Sequence, residues 1–218
     1  MEQSSGVKLY RWAVFLIAAF YFCHAFTDLA PEKIGWQFRH LTNWAMSMST
    51  LSAYFMLQRS LGRDTKRHEV WASATVILNI MVVFLYWKIY LTDPTQFYVD
   101  GVATIPFWKQ YYLHLAGPIL QLIDAFFILG VFRPVRKILT LTVSVNLLYI
   151  VWIESIVRPY NAEPLGSVTS GLPYRFLNSL EFSDRVMFYL QNTLVAIVLV
   201  LVCWGIAQGL RKINLSPK

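Results

Sequence analysis

Six long apolar stretches limit what this chain can fold into. They cover approximately residues 8–28, 37–58, 70–91, 109–131, 138–156 and 185–210. A helix that crosses a bilayer needs roughly 20 mostly apolar residues, because each residue rises about 1.5 Å and the hydrocarbon layer is about 30 Å thick. Short connectors join the stretches and leave no room within the 218 residues for a separate soluble domain. The sequence therefore predicts an all-α integral membrane protein, a single six-transmembrane-helix bundle over residues 1–218.

Composition supports a lipid surrounding. Hydrophobic residues make up 56% of the chain and charged residues 14%, whereas soluble domains carry about 25% charged residues. The apolar residues run continuously instead of alternating, which argues against a β-barrel.

The first stretch could be read as a signal peptide because Lys8 and Arg11 precede its apolar run. No small-x-small cleavage site follows, so we expect the stretch to be retained. Cys23 and Cys203 fall inside apolar stretches and are interpreted as packing residues.

Basic residues predict how the bundle is oriented. They gather at both termini and in the second and fourth connectors, at Lys8, Arg11, Arg59, Arg63, Lys66, Arg67, Arg133, Arg136, Lys137, Arg211, Lys212 and Lys218. In a six-span protein these segments share one side, and the other connectors carry acids such as Asp28, Glu32, Asp100 and Glu163. The positive-inside rule then places both termini in the cytoplasm. The net charge of +7 is thereby assigned to orientation and to anionic lipid heads, not to nucleic acid.

Polar side chains inside the predicted helices are the first candidates for function, because a polar group in hydrocarbon is costly unless it pairs or lines a cavity. Interhelical hydrogen bonds of about 1 kcal/mol each explain many of them. The candidates are His24, Thr42, Asn43, Asn79, His114, Gln121, Asp124, Asn146, Glu154, Gln191 and Asn192.

Thr42 and His114 form the pair most suited to chemistry. Each lies about five residues into a helix that enters from the predicted outer side, which puts both roughly 7–8 Å below that end. A threonine hydroxyl is a weak nucleophile and needs a base such as a neutral imidazole to take its proton. Pro118 removes the helix bond that the His114 carbonyl would accept, so we expect a kink beside the histidine. The alternative is that His114 only makes a structural hydrogen bond.

Three further residues are candidates for polar support. Glu154 lies at comparable depth and either orients His114 as the third member of a triad or is an interface residue. Asn43 is one candidate donor for an oxyanion. Asp124 lies about 80° round the helix from His114 and three turns deeper, which favours a buried polar contact within the bundle.

Metal and cofactor chemistry find little support. The four histidines show no HxxxH or HxxHH spacing, so a di-iron lipid desaturase or hydroxylase lacks its ligands. No phosphate-binding glycine loop is present. We expect no metal and no cofactor.

Four short motifs, taken in order, carry a resemblance to a known family. They are Phe38-Arg39-His40-Leu41-Thr42-Asn43, Tyr111-Tyr112-Leu113-His114, Tyr149-Ile150-Val151-Trp152 and Gly171-Leu172-Pro173-Tyr174-Arg175-Phe176-Leu177. Their order and spacing resemble those of the androgen-induced protein family, which includes the androgen-dependent regulator of tissue factor pathway inhibitor. The resemblance covers nearly the whole chain in length, number of spans and motif order.

The resemblance implies a membrane-embedded threonine hydrolase that cleaves fatty acid esters of hydroxy fatty acids. It assigns the nucleophile to Thr42 and the essential histidine to His114. Some family members place a threonine directly after the histidine and another histidine shortly before it, while this chain has Leu115 and Tyr111 there, which bears on substrate preference. The implied partners are a lipid ester and membrane lipids, and the implied location is the endoplasmic reticulum, with the plasma membrane as the alternative.

Two other function classes stay open. One is a non-enzymatic lipid-binding or scaffold bundle, for which Thr42 would be dispensable. The other is a small channel or proton-coupled carrier that uses His114, Glu154 and Asp124. The lack of a continuous polar stripe through the helices counts against the carrier.

Overall fold

The structure, a computed structural model, describes residues 4–27, 33–99, 102–103, 105–161, 171–213 and 215. The acidic residues Asp28, Glu32, Asp100 and Glu163 and the basic residue Lys218 lie outside the described residues. The long helices are α1 (Ser5–His24), α2 (Leu41–Ser60), α3 (Glu69–Thr92), α4 (Phe107–Leu129), α5 (Val135–Tyr160) and α7 (Phe182–Lys212), with the short α6 (Arg175–Asn178) before the last. Two 3₁₀ turns (Trp36–Arg39 and Pro94–Phe97) and a two-stranded hairpin (β1, Tyr98–Val99; β2, Val102–Ala103) complete the described elements.

Five of these helices, α1, α3, α4, α5 and α7, are long and apolar enough to cross a membrane. The all-α class and the multi-pass character predicted from the sequence are therefore confirmed. Helix α2 has 20 residues but is less apolar, because amide and hydroxyl residues such as Asn43, Ser47, Ser49 and Ser52 interrupt it. Its role as a sixth span stays a prediction, as does the cytoplasmic placement of the termini.

Helix α3 occupies the centre of the bundle and packs against α2, α4, α5 and α7. All eight residues from Ala72 to Asn79 are buried, so this part of α3 has no face directed at lipid. A helix that is apolar all round is expected at such a position. The other helices surround it, with α1 packed on α2 and α5 packed on α7.

Hydrogen bonds between connectors define the two ends of the bundle. At the end where α2, α4 and α7 begin, the Tyr149 hydroxyl donates to the Arg39 carbonyl and the Asn161 side chain binds the backbone of Ile34. At the opposite end, Arg67 donates to the Leu129 carbonyl and Arg211 to the Val131 carbonyl. We call these the outer end and the inner end, after the charge prediction.

Three π-helical segments interrupt the α-helical geometry, and each contains one polar candidate. They are Tyr112–Ala116 with His114, Asp124–Leu129 with Asp124, and Ile153–Val157 with Glu154. Pro118 and Pro159 closely follow two of the segments, and a proline has no N–H for the carbonyl four residues earlier. The segment Asp124–Leu129 is followed by Gly130, whose φ of +68° ends the helix. Wide turns of this kind are frequent at functional sites.

Candidate active site

The turn that carries Thr42 is held by side chains from distant parts of the chain. Trp152 donates from Nε1 to the Phe38 carbonyl at 3.1 Å, and the Tyr149 hydroxyl donates to the Arg39 carbonyl at 2.8 Å. The backbone N–H of Leu41 donates to the Tyr174 hydroxyl at 3.1 Å. The residues immediately before Thr42 are therefore fixed from α5 and from the segment before α6.

These holding contacts join three of the four sequence motifs. Residues 38–43, the motif of α5 and the motif that contains Tyr174 are far apart in sequence and meet at the start of α2. Hydrogen bonds from side chains to backbone carbonyls fix a turn more firmly than packing alone, because a buried carbonyl left without a donor is costly. The first turn of α2 thus has a defined position.

Thr42 is half-buried in the first turn of α2 and lines a small cleft of about 280 Å³, mouth included. The cleft lies between α2, α3 and α4, and its lining consists of Thr42, Ala45, Met46, Ser49, Asn79, Tyr112, Leu113, Gly117 and Pro118. Asn79 donates to the Ser49 hydroxyl at 2.8 Å at the deep side. Across the described part of the chain, no hydrogen bond engages the Thr42 hydroxyl, which leaves it available to a ligand.

His114 lies in the first π-helical segment, and its ring faces α3. It stacks on the Tyr86 ring with centroids 3.8 Å apart and planes inclined by 6°. The imidazole is 6% exposed, and its Nδ1 atom is buried without a hydrogen-bond partner among the described residues. The His114 carbonyl, which Pro118 leaves without an N–H donor, accepts a hydrogen bond from Trp87 Nε1 at 3.4 Å.

The structure brings Thr42 to the helix segment that carries His114 but not into contact with the imidazole. Leu113 and Gly117, which flank His114 in sequence, line the Thr42 cleft. His114 itself follows Leu113 by one residue and points to a neighbouring face of α4, where its ring stacks on Tyr86. Within the described residues, no hydrogen bond joins Thr42 and His114. Thr42 thus shares a cleft with the helix segment of His114, while the imidazole stacks on Tyr86.

The supporting candidates are each engaged elsewhere. Asn43 donates from Nδ2 to the Gln37 carbonyl at 2.7 Å and so stabilises the turn before α2. Glu154 accepts hydrogen bonds from Arg185 Nε at 2.8 Å and from the Tyr189 hydroxyl at 2.7 Å. No described contact links Glu154 to His114, so the structure favours a role of Glu154 in joining α5 to α7.

Asp124 makes the buried polar contact that its depth indicated. Its two carboxylate oxygens accept from Arg11 Nε and Nη2 at 2.8 and 2.7 Å. The guanidinium is 1% exposed and also donates to the Ser60 hydroxyl at 2.9 Å and to the Met56 carbonyl at 3.2 Å. The group lies toward the inner end, away from Thr42. Arg11 had been assigned to an inner basic cluster, and it is instead a buried partner of Asp124.

Sequence reasoning missed the residues that surround the pair. Tyr86 and Trp87 engage His114 from α3, and both read in sequence as part of an apolar helix. Tyr149 and Tyr174 were noted as motif members without a role. A buried tyrosine or tryptophan usually finds a hydrogen-bond partner for its polar group. The sequence therefore predicts that such residues form hydrogen bonds, but not which backbone atom each one binds. No group of three or more His, Cys, Asp or Glu residues suited to a metal ion occurs among the residues that the structure describes.

The described helices, five of them long and apolar enough to cross a membrane and packed with α3 at the centre, define a multi-pass helical membrane protein. The family model for FAR-17a/AIG1-like proteins matches residues 8–208. The chain therefore belongs to the FAR-17a/AIG1-like family, which confirms the resemblance found in its motifs. Searches of the curated proteins and of the solved structures found no significant match.

Proposed function

We propose that this protein is a membrane-embedded hydrolase of lipid esters, with Thr42 as nucleophile and His114 as general base. The substrate class that the family resemblance implies is a fatty acid ester of a hydroxy fatty acid. The observation that carries the proposal is the position of Thr42. Side chains from two other motifs fix the turn before it, and Thr42 lines a cleft whose other wall is the His114 segment.

The reaction begins when the imidazole of His114 takes the proton of the Thr42 hydroxyl. The threonine oxygen attacks the ester carbonyl, and the tetrahedral intermediate collapses as the alkoxide leaves with the proton held by His114. Water then attacks the acyl-threonine, again giving a proton to His114, and the carboxylic acid departs. One ester and one water yield one acid and one alcohol, and Thr42 is regenerated.

Catalysis requires that the His114 imidazole turn from Tyr86 toward Thr42 when substrate is bound. Catalytic hydrogen bonds are often absent or long in unliganded proteins and form in the complex. A π-helical segment has one extra residue in its turn, so its side chains can shift to a neighbouring face with little change in the flanking helix. The unpaired Nδ1 of His114 favours such a shift, because the resting position leaves a buried acceptor or donor unsatisfied.

In the first turn of α2, we expect the N–H of Thr42 to be the backbone donor for the oxyanion, because the N–H of Leu41 donates to the Tyr174 hydroxyl and that of Asn43 to the His40 carbonyl. The N-cap residue His40 makes no side-chain capping bond, and the N-terminal N–H groups of a helix stabilise negative charge that develops close to them. A nucleophile placed in that turn brings the developing oxyanion near these groups. Asn43 is engaged by Gln37 through one of its amide hydrogens and retains the other.

In the membrane, we propose that α2 is a sixth span and that both termini are cytoplasmic. The support for α2 is its 20-residue length and its burial between α1 and α3, since a helix shielded by neighbours tolerates hydroxyl residues in a bilayer. The support for the orientation is the bias of lysine and arginine toward the inner end. The endoplasmic reticulum is the compartment that the family resemblance implies.

The test is hydrolysis of a labelled fatty acid ester of a hydroxy fatty acid by the purified full-length protein in lipid nanodiscs. Thr42→Ala and His114→Ala are expected to lose activity, and Thr42→Ser to retain part of it because only a methyl group is removed. Thr50→Ala on the same helix and His24→Gln are matched controls that should keep activity. Undiminished hydrolysis by folded Thr42→Ala would refute the proposal. Lipid binding without hydrolysis in the wild type would favour the non-enzymatic alternative.

A further inference from the structure

A second and larger cleft lies between α3, α5 and α7 at the outer half of the bundle. Its volume is about 510 Å³, mouth included. On α3 it extends from Ile89 at the outer side to Met81, a depth of about 12 Å at 1.5 Å per residue. The segment around Phe176 covers its outer end.

The cleft lining is almost wholly apolar, and the donor groups of its tyrosine and asparagine side chains named here are paired with protein. The hydroxyls of Tyr149 and Tyr189 donate to the Arg39 carbonyl and to Glu154. The amides of Asn146 and Asn192 donate to the Thr193 hydroxyl and to the Phe188 carbonyl. What remains toward the cleft is aliphatic and aromatic surface. A ligand of this cleft therefore has no polar group along its length.

The cleft reaches the backbone that carries the nucleophile. Leu41 forms part of its wall, and Thr42, the next residue, forms part of the other cleft. Both clefts therefore border the first turn of α2, and a hydrocarbon chain that ends at Leu41 ends one residue along the chain from Thr42.

We propose that the larger cleft holds the hydrocarbon chain of the acyl group that is transferred to Thr42. The proposal rests on the hydrolase function proposed above and adds to it the site of the acyl chain. The carboxyl end lies at Leu41 near the outer end, and the methyl end lies toward Met81 and Asn146. Acyl chains long enough to fill the cleft are bound through apolar contact alone, so the cleft selects for chain length and not for a polar substituent.

The first experiment labels the wild-type protein in nanodiscs with a palmitic acid that carries a diazirine near its methyl end, followed by mass spectrometry. Adducts are expected on the deep part of the cleft, at Met81, Asn146 or Asn192, and unlabelled palmitic acid should compete for them. Adducts confined to outward-facing residues such as Leu148 would overturn the proposal. This readout uses the unmodified protein and does not depend on a variant's folding.

The second experiment fills the cleft. Ile150→Trp places an indole in it, and Leu148→Trp on the same helix, at a residue that is 58% exposed, is the matched control. We expect Ile150→Trp to raise KM for a long-chain ester at least about tenfold, the effect of roughly 1.4 kcal/mol, and to raise KM for an acetyl ester far less. Equal behaviour of the two tryptophan variants toward the long-chain ester would overturn the proposal.

Thr42→Ala separates this proposal from the hydrolase itself. If both hold, Thr42→Ala is labelled in the cleft and hydrolyses nothing. Wild-type hydrolysis without labelling in the cleft overturns the acyl-chain site alone. Labelling in the cleft together with full hydrolysis by Thr42→Ala overturns the role of Thr42 alone.

Discussion

Replacing Asp124 by asparagine tests the buried ion pair that ties α1 to α4. The Arg11 guanidinium is 1% exposed and meets both Asp124 oxygens at 2.7–2.8 Å. Asp124→Asn keeps the shape of the side chain but leaves the Arg11 charge buried without its counter-charge. Breaking one partner of a buried pair costs about 3–5 kcal/mol. At about 1.4 kcal/mol per factor of ten, the unfolding equilibrium constant rises roughly 100- to 1,000-fold or more.

The thiol of Cys203 can be used to follow thermal unfolding. It is a free thiol, 3% exposed, whereas Cys23 is exposed. In a Cys23→Ser background, a thiol-reactive fluorophore in detergent reports the exposure of Cys203 as the temperature rises. Arg136→Met, which removes an exposed arginine, controls for loss of positive charge and should change the midpoint little.

The double variant Arg11→Met/Asp124→Leu separates an unpaired charge from lost packing. Removal of both charges leaves nothing buried and unpaired, so this variant should be far closer to wild type than Asp124→Asn, or more stable. Ser60→Ala, which removes one hydrogen bond to Arg11, should cost about 1 kcal/mol. A wild-type midpoint for Asp124→Asn, or an equal loss in the double variant, would refute the reasoning.

Three further substitutions test other parts of the structure. Glu154→Gln weakens the bond to buried Arg185 and should lower the thermal midpoint, while kcat falls far less than the roughly 10,000-fold expected if Glu154 oriented the base. Gly171→Ala should lower the free energy of unfolding by about 1–3 kcal/mol, because φ at Gly171 is +68° and a Cβ there would lie 2.7 Å from Asn178 Oδ1. Gly62→Ala is the control, since φ is +73° there but the space around it is open, and it should lower the free energy of unfolding less. The hydrogen bond from the backbone N–H of Lys66 holds the pKa of Asp64 below its usual value. The ionised carboxylate therefore stabilises the folded state above about pH 4, and this stabilisation is lost as the pH falls through the lowered pKa. The midpoint difference between wild type and Asp64→Asn should therefore shrink in melts at increasingly acid pH.

The sequence predicted the helices well because apolar length is a local property. Five predicted spans have counterparts that are apolar enough to cross a membrane, and the perturbation beside His114 followed from Pro118 alone. The structure has a π-helical turn beside His114, where the sequence predicted a simple kink. Helix α2 is present as predicted but is not apolar enough to be recognised as a membrane span by its own hydropathy. Its polar residues are shielded by α1 and α3, and this shielding cannot be read from the sequence of α2 alone.

The positions of the candidate residues along the helices could be predicted from the sequence, but not their directions around the helices. Equal depth brought Thr42 and the His114 segment together, and depth follows from counting residues. Which way the imidazole points depends on the rotation of α4 against α3, and the Tyr86 ring that receives it lies in an otherwise apolar run. The same limit applies to Tyr149 and Tyr174, whose partners are backbone atoms far away in sequence.

The most direct measurement of the central claim is the mapping of a fluorophosphonate adduct on the protein in nanodiscs. Tryptic peptide His40–Arg59 contains Thr42 and also Ser47, Ser49, Thr50 and Ser52, so fragmentation is needed to locate the adduct. We expect Thr42 to be labelled, a long-chain ester to compete with the label, and labelling to be lost in His114→Ala and Thr42→Ala. Labelling on another hydroxyl of the peptide, or undiminished labelling and hydrolysis in Thr42→Ala, would contradict it.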